Sequence, residues 1–158
     1  MQYEDAAIAI CHRCAFPTFL GVNGEQVPGA RYGNDVAHIT DEKIEQLYQE
    51  ARDATGSGSY TLAVLACRKL LMHIAVSKGA KKGESFAQYV DYLSENNFVP
   101  PGAKPWVDHI RKKGNQANHE IVLMEREEAE DLITFIHMLL TVIFELPGTM
   151  QSRYPSTD

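Results

Sequence analysis

From Ile39 onward, apolar residues recur at helical spacing in five runs, each closed by a glycine or proline break, and this rhythm constrains the fold more than any other feature. A first helix is predicted over about 41–55, with Thr40 as its cap, Asp41 and Glu42 in its first turn, and Ile44, Leu47, Tyr48, Ala51 and Ala54 on one face. Gly56-Ser57-Gly58 ends it. Ser59 can cap a second helix over about 60–78, with Leu62, Leu65, Ala66, Leu70, Ile74 and Ala75 inward and Gly79 closing it. A third, about 84–96, carries Phe86, Tyr89, Val90 and Leu93 and stops before Pro100-Pro101-Gly102. The fourth begins at Pro105, a residue suited to a first helical turn. The fifth, about 125–146, opens on Glu125, Glu127, Glu128, Glu130 and Asp131 and then turns apolar almost all round, as a core or interface helix does. Pro147-Gly148 is expected to end it and the tail from Thr149 to fray. Short connections favour neighbouring helices, so the expected fold is all-α, an up-and-down bundle of about five helices.

Residues 1–38 have another texture. A short apolar run, Ala6 to Ile10, leads into Cys11-His12-Arg13-Cys14 and then a segment punctuated by Gly21, Gly24, Pro28, Gly29 and Gly33. Such punctuation favours short strands and turns, hence an irregular or β appendage. The expected organisation is appendage 1–38, bundle 39–147 and flexible tail 148–158.

At 158 residues the chain fits one domain, and its 44% hydrophobic and 23% charged content suits a globular protein. Against 15 basic residues stand 21 acidic ones, so a net charge of −6 attracts no polyanion without a local basic patch. Three cysteines do not make a disulfide framework, and the acidic start, Met1-Gln2-Tyr3-Glu4-Asp5, is unlike a basic signal sequence. The most apolar run, Leu132 to Leu146, is interrupted by Thr134, His137, Thr141 and Glu145 and is short for a bilayer. These features point to the cytoplasm and to no membrane partner.

The polar residues of Pro105 to His119 stand out because packing does not require them. If the stretch is one helix, with about 100° of turn per residue, Arg111, Asn115, Asn118 and His119 share a stripe while Trp106, Ile110, Ala117 and Ile121 share another. Gly114-Asn115 can alternatively end that helix, leaving Asn115 to His119 as a turn. Beside the stripe, Arg111, Lys112 and Lys113 form the most compact positive run. Arg68, on the second helix, either snorkels to solvent or pairs with a carboxylate or with the polar stretch.

Cys11-x-x-Cys14 has the spacing of a zinc knuckle, but the chain holds no second cysteine pair to complete four ligands. The expectation is a remnant of a zinc ribbon with two reduced thiols, zinc being the alternative and no other cofactor being indicated. Cys67 reads as a small buried residue, and His73 and His137 as core or boundary histidines.

Arg111, Gly114-Asn115 and Ala117-Asn118-His119, following Arg68-x-x-Leu71, resemble the helical domain of unknown function found with type I restriction subunits and in phage and mobile-element proteins. That family belongs to the HEPN superfamily. The resemblance covers about residues 40–146, with the Cys11 and Cys14 knuckle similar to the zinc-ribbon start of relatives. In active members an arginine, usually with a polar residue directly after it, and a histidine separated from it by four to six residues meet their copies across a dimer and cleave RNA without metal. This chain departs from that pattern: seven residues separate Arg111 from His119, Lys112 follows the arginine, and Met72 stands where relatives often carry a glutamate.

The resemblance implies a homodimer in a defence, phage or mobile-element system, acting as a non-catalytic interaction and dimerisation module, with a larger defence or phage protein as its partner. The alternative is a metal-independent RNA-binding or RNA-cleaving domain. There His119 would take the ribose hydroxyl proton, Arg111 would hold the phosphate, Asn115 and Asn118 would position both, and Lys112, Lys113 and Arg68 would bind RNA. A third reading, from charge alone, is an acidic inhibitor of a nucleic-acid-binding host protein.

Overall fold

The computed structural model describes residues 6–12, 15–115 and 123–154, the side chains of 112–115 excepted. The appendage is a three-stranded antiparallel sheet of β1 (Ala7–Ile10), β2 (Pro17–Leu20) and β3 (Gln26–Val27), in that order. A mainly helical body follows, comprising α1 (Glu42–Gly56), α2 (Tyr60–Ser77), α3 (Phe86–Glu95), α4 (Lys104–Asn115), α5 (Arg126–Leu140) and α6 (Leu146–Arg153). Thus the expected mostly helical bundle with a β appendage is what forms.

Each consecutive pair from α1 to α4 packs together, and α2 also lies against α5, so α2 and α5 form the centre. Phe135, Ile136, Leu139 and Leu140 of α5 and Leu70, Leu71 and Ile74 of α2 are buried. Each such side chain contributes about 1.5–3 kcal/mol relative to exposure. Local signals agree with this packing: at α3, Ser85 Oγ accepts from the Gln88 backbone N–H while Gln88 Oε1 accepts from that of Ser85, a reciprocal cap.

The appendage is tied to the body where the chain approaches the end of α1. A methyl group at Gly29 would strike the carbonyl of Gly56, so two bare backbones meet there. Arg31 Nη2 donates to Asp53 at 3.0 Å beside that contact.

Three expectations are corrected. The cap of α1 is Asp41 rather than Thr40, its carboxylate accepting from the backbone of Lys43 at 2.9 Å. Leu62 and Leu65 of α2 are exposed, and the buried face is Ala63, Val64, Cys67, Leu70, Leu71, Ile74 and Ala75. Because α2 is apolar nearly all round, its period could not choose the face. Finally, Pro147-Gly148 does not end the helical run. A π-helical turn, Thr141–Glu145, joins α5 to α6, with the Leu146 N–H donating to the Thr141 carbonyl, and α6 continues to Arg153. Pro147, which has no N–H to donate, stands in the first turn of α6 directly after the π-helical turn.

That junction makes Arg126–Arg153 one helical run of 28 residues containing an 18-residue window of mean hydropathy 1.6, long and apolar enough by length and composition to cross a bilayer, as is Tyr60–Ser77. Both runs also supply much of the buried core here.

Candidate functional site

Helix α4 carries the stretch singled out above. Val107 and Ile110 are buried, and Trp106 stands edge-on to Phe135 of α5 with ring centres 5.1 Å apart. This apolar stripe is flanked on both sides by charge. On one flank His109 Nε2 lies 3.3 Å from Asp131 Oδ2 of α5. On the other, Arg111 Nη1 donates to Asp91 Oδ1 of α3 at 3.2 Å while its Nη2 lies 3.2 Å from Asp108 Oδ1, one turn back. All five side chains are partly exposed, so each pair adds only about 0–1 kcal/mol. Their consequence is orientation: α4 is held to α5 by one edge and to α3 by the other.

Arg111 is therefore not displayed on an open face. Two carboxylates surround its guanidinium and offset its charge, which weakens its pull on a phosphate. The backbone of Asn115 is helical, so the Gly114-Asn115 pair does not stop the helix before Asn115. The side chains of Lys112, Lys113 and Asn115, and all of Asn118 and His119, lie outside the described residues, so the extension of the stripe past Arg111 does too.

Arg68 belongs to a different grouping. With Val64, Phe86, His109, Ile110, Met124, Glu128, Asp131 and Leu132 it lines a small cleft of about 30 Å³ between α2, α3, α4 and α5. Its guanidinium lies over the Phe86 ring, 4.4 Å from the centre, and burial pushes its pKa below the usual arginine range. Arg68 is half-buried, with its guanidinium on an aromatic face. The structure brings Arg68 together with His109 and with the packing side of α4, while the Arg111 guanidinium is engaged on the flank against α3.

Chemically the cleft has an apolar floor of Val64, Phe86, Ile110 and Leu132, all buried, and a rim of one guanidinium, one imidazole and two carboxylates. An imidazole oriented by a carboxylate can exchange a proton, while the space over the floor has room for roughly two water molecules. His109, Asp91 and Asp131 were not singled out from the sequence. The Asp108 to Arg111 spacing of three on a helix was a readable signal for one pair, whereas Asp91 and Asp131 come from other helices and gave none.

Cys11 is exposed, on a turn closed by the Ala15 N–H donating to its carbonyl at 2.8 Å, and Cys14 lies outside the described residues. Among the described residues no group of three or more histidine, cysteine or carboxylate side chains is placed so that it could hold a metal ion. Cys67 is fully buried, and burial pushes its thiol up to about 12, so it is no nucleophile at neutral pH. His73 Nε2 sits 3.6 Å from Asp41 at the start of α1, a boundary position.

No curated protein and no solved structure matches the chain significantly. One family model does match, over residues 49–155, and it spans α2 to α6 together with every cleft and flank residue described above. On that match the chain belongs to the family described as a domain of unknown function, DUF4145.

Proposed function

We propose that this chain is a non-catalytic interaction and dimerisation module, related to the HEPN helical domains and working in the cytoplasm within a defence, phage or mobile-element system. One observation carries the reading: Arg111, the cation that RNA cleavage by such a domain would need, is engaged by Asp91 and Asp108 within its own chain. An arginine so paired organises helices, and detaching it to meet a phosphate would give up both contacts. The seven-residue separation of Arg111 and His119 points the same way.

A second reading, metal-independent RNA binding or cleavage, draws support from the cleft, where His109 with Asp131 and Arg68 supply an oriented imidazole and a cation. Purified protein incubated with mixed RNA in excess chelator separates the two. The module reading expects intact RNA with the parent and with His109→Ala and His119→Ala alike. Cleavage by the parent that either substitution abolishes would overturn it.

A further inference from the structure

The connection that leads into α1, the end of α2, the π-helical turn and the start of α6 enclose a second cleft, of about 620 Å³, which shares no residue with the one around Arg68. Small-molecule sites commonly measure about 300–1,000 Å³. Ile39, Ile143, Phe144 and Pro147 give this cleft an apolar wall, and His38, Thr40, Lys78 and Gln151 add polar groups to it.

Lys78 is the informative residue. A lysine that closes a helix can spend its charge on the last carbonyls. In α2 those of Ile74, Ala75, Val76 and Lys78 already have donors, the backbone N–H groups of Lys78, Ala80 and Gly79 and the hydroxyl of Tyr92. The half-buried Lys78 side chain instead places its ammonium over the Phe144 ring, 5.5 Å from the centre, with no ion pair or hydrogen bond among the described residues. Carboxylates close by are turned to other donors: Glu145 accepts the Ala37 N–H at 2.9 Å, Asp41 accepts the Lys43 N–H and lies beside His73, and α6 carries no acidic residue. His38 is fixed at the cleft by a left-handed backbone, φ +61°, and by a ring seated where Gly148 lacks a side chain. The side chains of His38, Thr40 and Gln151 make no hydrogen bond among the described residues either, so their donors are open to a ligand.

We propose that this cleft binds a small organic phosphate, its phosphate group on the Lys78 ammonium and its apolar body on Ile143 and Phe144. Imidazole, hydroxyl and amide supply further donors from the other side. Donors on several sides suit a phosphate, which offers three strong acceptor oxygens, better than a carboxylate, which offers two. The ammonium serves as a point charge that any of those oxygens can meet.

The test uses the full chain with phenyl phosphate as the probe and inorganic phosphate and phenol beside it. Phenyl phosphate is expected to move the amide NMR signals of residues 38–40, 78 and 143–152, with a dissociation constant of about 1 mM or below. It is expected to bind more tightly than inorganic phosphate or phenol, and more weakly as salt is raised. Lys78→Met keeps an apolar stem over Phe144 and is expected to weaken binding about tenfold, with thermal unfolding unchanged. Gln151→Ala, on the exposed side of α6, is expected to weaken it by about two- to threefold. Signals that stay in place, or equal binding by the parent and both variants, would overturn the site. Inorganic phosphate that binds as tightly as phenyl phosphate would overturn the part given to the apolar wall.

Discussion

Arg52 is only 5% exposed, and it spends its guanidinium on the chain itself. Nε donates to the Tyr32 carbonyl at 3.0 Å and Nη2 to that of Gly33 at 2.9 Å, while Nη1 donates to Gln49 Oε1 at 2.8 Å and to the Asp35 carboxylate. Residues 32–35 are stitched to α1 in this way. Arg52→Met keeps the length and removes every donor, stranding two carbonyls. It is expected to cost about 3 kcal/mol, read as a lower urea midpoint, and an unchanged midpoint would contradict the role. Nothing in the sequence marks Arg52, because most of its partners are backbone carbonyls or side chains set by tertiary packing. Arg111, by contrast, stood out in sequence, but its helical phase could not reveal Asp91 on α3. At the start of α1, the Lys43 backbone N–H holds the Asp41 carboxyl below its ordinary 3.8, with further lowering by Ile44 and His73. A carboxyl depressed in the folded state stabilises above its unfolded value and loses that contribution as pH falls through its folded one. Asp41→Ala is therefore expected to lower the melting temperature by a few degrees at pH 7, with the gap to the parent shrinking below about pH 4.

At the scale of elements, boundaries set by local chemistry were readable and those set by packing were not. The start of α3 at Ser85 and the break at Gly56-Ser57-Gly58 follow from capping and glycine geometry. The buried face of α2 was not legible, since an all-round apolar helix leaves neighbours to choose which side is covered. Nor was the continuation into α6, because a π-helical turn has no sequence signature that outweighs Pro147-Gly148. Gly148 has its own role there: a methyl group on it would lie 2.5 Å from Cγ and 2.6 Å from Cβ of His38. The glycine lets α6 pack close to the strand-to-helix connection. Gly148→Ala is expected to destabilise by about 1–3 kcal/mol through that overlap, with amide exchange over residues 146–153 accelerating more than in α1. Equal protection in α6 before and after substitution would show that His38 yields at no cost.

For the whole molecule, mean composition concealed an uneven distribution of surface. The helical body has its core around α2 and α5 and leaves Leu62, Leu65 and Leu146 exposed, while in the appendage Ile8, Ile10, Phe16, Phe19 and Val27 are exposed. Sequence texture marked the appendage as separate, and only strand register showed that Ile8, Phe19 and Val27 stand in one row across it. The proposed module reading, in which the paired Arg111 orients helices instead of holding a phosphate, makes association of the chain its central expectation. Sedimentation equilibrium of the full chain in the micromolar range tests that account most directly. It predicts reversible association to twice the 17.7 kDa chain mass, and a mass that stays at 17.7 kDa at every concentration would contradict it.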